Sequence, residues 1–318
     1  MALKRLPENC DLGRVLRFAE EIRTVGQLEH PNIVPVHDVG VDSSGRYYFV
    51  MKHLRGETLE SIISRLKAGE DAAHKRFSME VRVQIFQSVL NAMAYAHQQG
   101  FIHRDLKPAN IMVGPYGEVT VMDWGLAKRL RNEHPELPMT QTRERTVLQT
   151  QVGAVMGTPL YMAPEQARGA QNEVDERSDL YALTVIFHEF LHLDHYLEGR
   201  RGLQEVIAGV QATTPSLHKM NSKAARYQVP ADLDWFLVRG FKKAPSERYQ
   251  TVSEMQDELQ RIIRGECRVQ CHRTFMKRMM GEAQRGLDRY PVAMTAASTA
   301  FFALAAFTIV QAVISLIH

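Results

Sequence analysis

The stretch that decides the fold is His103-Arg104-Asp105-Leu106-Lys107-Pro108-Ala109-Asn110, which is followed about a dozen residues later by Asp123-Trp124-Gly125. Apolar residues typical of strands lie beside both motifs, at Ile111 to Val113 and at Val119 to Met122. Each motif is therefore predicted to lie at the edge of a strand. Acidic, basic and amide side chains placed there suit phosphoryl transfer, which requires metal ions on the phosphates and a positioned hydroxyl group.

Both motifs resemble those of the bacterial eukaryotic-like serine/threonine protein kinase family, and the resemblance covers residues 1–264. It implies an α+β protein kinase fold with two lobes, a small β-rich N-lobe over about residues 1–52 and a helical C-lobe over about residues 55–264. It also implies that the γ-phosphate of ATP is transferred to Ser or Thr hydroxyls of protein substrates. Mg²⁺ is the expected metal ion, with Mn²⁺ as a possible substitute.

The resemblance assigns roles to five polar residues. Asp105 matches the catalytic-loop base that orients the substrate hydroxyl, and Lys107 matches the lysine that neutralises charge on the γ-phosphate. Asn110 and Asp123 match the two metal ligands. Thr158 matches the threonine that contacts Asp105 and Lys107. A lysine at position 107 is also the form typical of serine/threonine kinases.

One aromatic residue departs from the family pattern, because Trp124 stands where the family usually has Phe. An aromatic side chain at this position packs beneath the regulatory helix, so we expect Trp124 to fill the same role.

The N-terminal end supplies a further predicted pair. Lys4, in Met1-Ala2-Leu3-Lys4, fits the family's strand lysine, and Glu21 fits the glutamate of the regulatory helix. Only three residues precede Lys4, so the resemblance implies that the first strands and the glycine-rich loop over the ATP phosphates are missing. Either Met1 is an internal methionine of a longer chain or the domain is truncated, and the first alternative is favoured.

The adenine of ATP is expected to contact a second group of residues. Met51 matches the gatekeeper, and Lys52 to Leu54 match the hinge whose backbone meets the adenine ring. Ala2 and Met112 would lie on the two faces of the ring. Together with Lys4 and Asp123, these residues form the expected nucleotide site.

Three further contacts follow from the same resemblance. The segment Gly157 to Glu165 resembles the part that docks the acceptor residue of the substrate and closes the activation segment. Glu165 is expected to form a buried ion pair with Arg248. Asp179 is expected to hold the backbone of the catalytic loop.

The long activation segment contains several candidate phosphorylation sites, at Thr140, Thr142, Thr146 and Thr150. A phosphate on one of them could pair with Arg104 and order the segment, which predicts regulation by autophosphorylation. The alternative is an unmodified polar loop.

The C-terminal sequence from Val292 to Ile317 contains no charged residue. At about 1.5 Å per helical residue such a stretch exceeds the roughly 30 Å of a bilayer core. We therefore expect a single transmembrane helix over 291–317 that contacts the lipid bilayer, preceded by a juxtamembrane linker at 265–290 that could also continue the last helix of the domain. Basic residues before the span place the kinase domain in the cytoplasm. The alternative is a long buried helix.

Secondary structure can be outlined from periodicity. A helix is predicted over Leu12 to Leu28, and a β-hairpin is predicted from two strands joined by a turn. The strands are Val34 to Val41 and Tyr47 to Met51. Further helices are predicted from Met79 onward and around Asp179 to His192 and Val252 to Ile263.

Composition excludes some functions. A formal net charge of +3 over 318 residues gives no reason to expect a nucleic-acid partner. Three cysteines are too few for a disulfide framework, and Cys267, Cys271 and His272 lack an evident fourth ligand for zinc. Two rival functions remain: a membrane-anchored pseudokinase or scaffold, supported by the missing glycine-rich loop, and a small-molecule kinase, ranked last because such enzymes lack a segment like Gly157 to Glu165.

Overall fold

The computed structural model describes most of the chain, namely residues 1–7, 10, 12–129, 158–200, 202–215, 229–266, 270–289, 299 and 306–308. The chain divides into two compact units. The first comprises Met1–Pro230 and Phe236–Gln256, and the second comprises Ala231–Trp235 and Asp257–His318.

The first unit begins with a three-stranded antiparallel sheet in the order β1-β3-β2. Its elements are β1 (Ala2–Arg5), helix α1 (Leu12–Val25), β2 (Val36–Val41) and β3 (Tyr47–Met51). Helix α1 packs on this sheet through Phe18, whose ring centroid lies 5.2 Å from that of Phe49 in β3.

The mainly helical part of the first unit surrounds two small sheets. After β4 (Glu57–Thr58) come α2 (Leu59–Lys67), α3 (Asp71–Arg76), α4 (Met79–Gln98), β5 (Phe101–Ile102), β6 (Ile111–Val113), β7 (Val119–Val121) and β8 (Lys128–Arg129). Then come α5 (Pro164–Ala167), α6 (Glu176–His192) and α7 (Leu203–Ala212). The last helices are α8 (Ala231–Gly240) and α9 (Val252–Ile263), which each contribute residues to both units, and α10 (His272–Arg289), which belongs to the second unit.

Aromatic packing joins the two longest helices of this core. The rings of Phe86 in α4 and Phe187 in α6 stack with centroids 3.9 Å apart. Both side chains are buried, as are most of the apolar residues of α6. Burial on nearly all sides of α6 means that this helix is central to the core, so side chains at its N-terminal end are held in fixed positions.

Strands β6 and β7 bring the two polar motifs together at one edge of a sheet. Strands β6 and β7 pair antiparallel in a sheet of order β4-β6-β7. A 3₁₀ turn at Pro108–Asn110 leads directly into β6, and Asp123 follows β7 after one residue. The N–H of Met122 donates to the carbonyl of Asn110 at 2.9 Å, which ties the two motifs together at the edge of the sheet.

The predicted hairpin is confirmed by β2 and β3, which pair with a register shift between Val36 and Asp38. Helix α1 ends at Val25, three residues before the predicted end, at the turn that contains Gly26. Glycine disfavours continuation of a helix. Helices α2, α3, α7 and α8 were not predicted, because they are short or carry no clear periodicity.

The described residues cover only part of the C-terminal region for which expectations were stated. Residues 265–290 contain α10, a separate helix that begins nine residues after the last residue of α9, so this segment is not a continuation of the preceding helix. Within the described ranges, none of the helices is both long and apolar enough to cross a membrane. The transmembrane helix expected at 291–317 lies outside these ranges except for Thr299 and residues 306–308.

Candidate active site

Asp179 organises the loop that carries the first motif. Its carboxylate is buried at the first turn of α6 and accepts the backbone N–H groups of His103 at 2.8 Å and Arg104 at 2.9 Å. Arg104 has a positive φ of 67°, a backbone conformation that costs conformational energy in residues other than glycine. From the other side, Gln166 Nε2 donates to the carbonyl oxygen of Arg104 at 3.0 Å. These bonds hold the strained peptide in place.

Asp179 is kept ionised by its surroundings. Burial by itself would raise its pKa, but hydrogen bonds from the His97 ring and from the loop backbone lower the pKa below the usual value. His97 Nε2 lies 2.9 Å from Asp179 Oδ2. Neither His97 nor Gln166 was predicted from the sequence, because each stands outside the motifs and is recognised only by its contacts.

Asp105 and Lys107 lie side by side, with Lys107 Nζ donating to Asp105 Oδ2 at 2.7 Å. Their side chains are largely buried but keep some exposure, at 12% and 21%. Asn110 Nδ2 donates to the backbone oxygen of Asp105 at 2.9 Å. Because the amide nitrogen is used in this way, the amide oxygen is the atom of the Asn110 side chain that can accept a hydrogen bond or bind a metal ion.

Lys4 and Glu21 form an ion pair with a separation of 2.5 Å between Lys4 Nζ and Glu21 Oε1. Lys4 projects from β1 and Glu21 from α1. Lys4 Nζ is also 3.7 Å from Asp123 Oδ1, so one ammonium group lies between two carboxylates. Burial raises the pKa of Glu21 above its usual value, with the Lys4 contact opposing that shift. Gly125 packs against the Glu21 carboxylate, where an added Cβ would lie 3.4 Å from Oε2.

Asp123 presents its carboxylate on an unusual backbone. Its φ is 62°, and its side chain is 48% exposed. The next residue, Trp124, is buried, and its ring lies 4.6 Å from that of His103. Among the described residues, the buried indole N–H of Trp124 has no hydrogen-bond acceptor. Trp124 therefore anchors its motif by packing against His103 in the protein interior, while the neighbouring Asp123 side chain stays exposed.

The residues expected around adenine are spread over two sheets. Ala2 and Met51 are directly opposite each other in the β1-β3 pair. The N–H of Lys52 donates to the carbonyl of Pro35 at 3.2 Å. Met112 belongs to the other sheet, in β6, where it pairs with Thr120.

Leu54 follows β3 and is half-buried. The backbone N–H of Lys52 is already bonded to Pro35. A ligand beside Lys52 could therefore bond the carbonyl oxygen of this residue but not its N–H.

The predicted ion pair between Glu165 and Arg248 is present and completely buried. Arg248 makes two hydrogen bonds with the Glu165 carboxylate, at 2.8 and 2.7 Å, and Ser178 Oγ donates to it at 2.7 Å. Burial opposes ionisation, but these donors lower the pKa of Glu165 below its usual value.

Thr158 begins a 3₁₀ turn at Thr158–Tyr161, but its side chain is outside the part of the chain that the structure describes, as are Thr140, Thr142, Thr146 and Thr150. In the same turn, Tyr161 OH donates to Glu189 at 2.6 Å, and burial raises the pKa of Glu189. The sequence did not predict this contact, which fixes the turn at Thr158–Tyr161 to α6.

Comparison with known proteins agrees with this geometry. The protein kinase domain family matches residues 1–259. The chain is 32% identical over 259 residues to the serine/threonine-protein kinase PknD of Protochlamydia amoebophila, covering 78% of this chain and 26% of that protein. It is 31% identical over 276 residues to PknD of Chlamydia felis, covering 83% of this chain and 28% of that protein. The chain thus spans less than a third of the length of these relatives.

Proposed function

Because this chain belongs to the protein kinase family, we propose that it transfers the γ-phosphate of ATP to serine or threonine hydroxyls of protein substrates. The observation that carries the proposal is the position of Lys4 between Glu21 and Asp123, at 2.5 and 3.7 Å. A lysine held by a helix glutamate beside a metal-binding aspartate is the arrangement that positions nucleotide phosphates in protein kinases. The serine/threonine kinases among the relatives support the choice of acceptor.

The residues present fit a divalent cation with oxygen ligands. The amide nitrogen of Asn110 bonds the Asp105 carbonyl, which leaves its amide oxygen as the possible ligand, and the Asp123 carboxylate is half exposed. Mg²⁺ prefers carboxylate, carbonyl and phosphate oxygens, so these two residues would hold it together with ATP. When bound, the ion neutralises charge on the phosphates. Mn²⁺ takes the same ligand types.

The adenine would occupy the space beside the first sheet, with Met51 as gatekeeper and the carbonyl of Lys52 and the backbone of Leu54 as polar contacts. Ala2 and Met112 supply the apolar faces. Lys4 would contact the phosphates while Glu21 keeps its ammonium group in position.

Asp105 would accept a hydrogen bond from the hydroxyl group of the acceptor and take its proton as the new P–O bond forms and the bond from the γ-phosphorus to the ADP leaving group breaks. Lys107 donates to Asp105 Oδ2, so the acceptor hydroxyl would bind the other carboxylate oxygen, Oδ1. The ammonium group of Lys107 would also offset the negative charge of the transferring phosphoryl group. Thr158 would position the acceptor segment next to Asp105.

Two finer features belong to the same proposal. Attachment to a membrane through residues 291–317 would keep the kinase domain beside the bilayer, on its cytoplasmic side. Autophosphorylation of an activation-segment threonine would place a phosphate near Arg104. The uncharged sequence of residues 292–317 supports membrane attachment. The position of Arg104, whose backbone is held by Asp179, supports autophosphorylation. The alternative of a binding-only pseudokinase is less favoured, since the Lys4, Asp105, Asn110 and Asp123 contacts suit catalysis.

The decisive experiment measures transfer of radiolabelled phosphate from ATP with Mg²⁺ to a generic basic protein. The full chain is compared with Asp105→Asn and with the matched control Asp257→Asn, an exposed position on α9. We expect Asp105→Asn to lower the rate by about 10²–10⁴-fold, as for loss of a general base, and Asp257→Asn to leave it unchanged. Equal labelling by all three proteins, or none by the wild type, contradicts the proposal.

Autophosphorylation is tested separately by intact mass after incubation with ATP and Mg²⁺. We expect added phosphate on the wild type and none on Asp105→Asn. Peptide mapping then identifies the modified threonine. A wild-type chain that phosphorylates the basic protein but gains no mass itself would refute autophosphorylation and leave the kinase activity standing.

A further inference from the structure

Helix α10 of the second unit is fixed by polar contacts along one side. Thr274 is buried and its hydroxyl accepts the N–H groups of Gln270 at 2.8 Å and Cys271 at 2.9 Å, which caps the start of the helix. One turn later, Lys277 Nζ donates to the buried carboxylate of Asp232. Gly281 is half-buried one further turn along. Residues spaced by three, four and seven share a helix face, so this polar face points into the protein.

The opposite face carries large apolar side chains that remain exposed. They form what we call the apolar stripe: Phe275, Met276, Met279 and Met280, with exposures of 46%, 46%, 51% and 70%. Spacings of one, four and five place them on one side, away from Thr274. A helix of a water-soluble domain normally turns its apolar side inward. Here the polar side is inward, and a contiguous exposed apolar patch of this kind marks an interaction site.

Positive charge borders this stripe. Arg273 and Arg278 are exposed beside it. The sequence of α10 contains five Lys or Arg residues and two acidic residues, which gives a formal net charge of +3 with neutral histidine. Immediately after the helix, the sequence from Val292 to Ile317 contains no charge at all.

We propose that α10 lies flat on the surface of an anionic lipid bilayer, with the apolar stripe inserted among the upper acyl chains and the basic residues paired with lipid headgroups. A basic helix with an apolar face and low average hydropathy has the properties of an interfacial helix. Methionine side chains adapt to irregular apolar surroundings, which suits insertion into a fluid layer. The inference rests on the proposed membrane attachment, which would keep α10 at the bilayer.

Charge favours lipid over a second copy of the chain as the occupant of this face. Two copies of a helix with a net charge of +3 repel each other when their apolar stripes meet. An anionic bilayer attracts the same charges, by a factor of roughly five in affinity for each basic residue near the surface. The uncharged sequence that follows α10 also favours a bilayer as the nearest apolar surface.

The test uses the full chain reconstituted in vesicles of phosphatidylcholine alone or of phosphatidylcholine with phosphatidylserine. Mild peroxide treatment and mass spectrometry give the oxidation rates of Met276, Met279 and Met280. Met1, which is 90% exposed, is the internal control. We expect the stripe methionines to be oxidised roughly fivefold more slowly in the anionic vesicles, Met1 to be unaffected, and high salt to abolish the difference.

Charge reversal supplies the matched variants. Arg273→Glu lies in the first turn of α10, where a negative charge is favourable to the helix, so the helix is retained. We expect this variant to lose most of the protection in anionic vesicles. Lys75→Glu, an exposed position on α3 with the same change in charge, should behave as wild type. Equal protection in wild type and Arg273→Glu overturns the inference.

Other results also have a definite meaning. Protection that is equal in neutral and anionic vesicles and rises with the protein-to-lipid ratio shows that a second copy covers the stripe, which overturns the inference. Flotation with anionic vesicles alone refutes attachment through residues 291–317 while supporting α10 as a lipid-binding helix. Flotation with both vesicle types but without slower oxidation overturns the inference and leaves the attachment standing. Flotation with neither refutes both.

Discussion

The carboxylate of Asp179 holds the peptide of Arg104 across 75 residues of sequence, with Asp179 Oδ1 accepting the Arg104 N–H at 2.9 Å. The strained backbone at Arg104 is maintained by this bond, and the strain directs the following residue, Asp105, into the site. The geometry of the proposed catalytic base therefore depends on a residue that does not itself touch the substrate.

We expect Asp179→Asn to destabilise the domain by roughly 2–3 kcal/mol, because a buried charged acceptor of two N–H groups is replaced by an amide. Urea unfolding measures this loss. The rate of phosphate transfer should fall while the KM for ATP changes little, since the nucleotide contacts are elsewhere. His97→Gln, which leaves both backbone bonds in place, is the milder control. A fully active Asp179→Asn enzyme would contradict this positioning role.

The buried pair of Glu165 and Arg248 should behave differently from a surface ion pair. Glu165→Gln leaves Arg248 buried without a charged partner, and we expect a loss of about 3–5 kcal/mol in the free energy of unfolding. Replacing both residues, as Glu165→Gln with Arg248→Met, should cost less than the sum of the two single changes. Additive losses in urea unfolding would show that the two side chains are not coupled.

The Glu165–Arg248 pair also makes the stability of the fold depend on pH. The pKa of Glu165 is lower in the folded protein than its usual value of 4.5. Its contribution to stability is therefore fully present above pH 4.5 and is lost as the pH falls through the folded-state value. The stability difference between wild type and Glu165→Gln should shrink on acidification below pH 4.5. A difference that grows there would contradict the assignment.

The lowered pKa of Lys243 should make the stability of the fold depend on pH in the alkaline range. Its ammonium group donates to the Val210 carbonyl at 2.7 Å and lies against the ring of Tyr181, and burial lowers its pKa to about 8. Above pH 8 the folded protein releases this proton before the unfolded chain does, so stability rises with pH relative to Lys243→Met. Paired urea titrations at increasing pH measure the relative slope. Parallel curves would refute the lowered pKa.

Trp124 carries a buried N–H without an acceptor among the described residues. Such a donor costs about 1–3 kcal/mol. We expect Trp124→Phe to change the free energy of unfolding by less than about 1 kcal/mol, because loss of packing is offset by removal of the donor. Trp124→Ala should cost about 3–5 kcal/mol. Comparable losses for the two variants would show that the indole N–H is satisfied.

The sequence predicted much of the site because its motifs are local. Asp105, Lys107 and Asn110 lie within six residues, and such spacing fixes their neighbourhood once a strand edge is assigned. Helix α1 was also predicted from its periodicity, and the hairpin from two β-rich runs separated by a turn-forming stretch. The contacts of His97 and Gln166 could not be predicted, since they come from remote elements and their side chains carry no special pattern.

The sequence also did not predict which face of α10 points into the protein. Its periodicity shows an apolar side, and an apolar side is ordinarily assigned to the interior. Only the contacts of Thr274 and Lys277 reveal that the helix is turned the other way. Side-chain burial, rather than hydropathy, distinguishes an inward from an outward face.

The distance in sequence between Asp179 and the loop it holds has a consequence for synthesis on the ribosome. Residues 103–110 emerge first, and the carboxylate that fixes them is 75 residues further on. At about 5–20 residues per second, this delay is about 4–15 seconds. The Glu165–Arg248 pair spans an overlapping interval of 83 residues, so it is completed later still, when Arg248 is made. The contacts that fix the proposed catalytic loop and the Glu165–Arg248 pair can therefore form only when most of the domain has been translated.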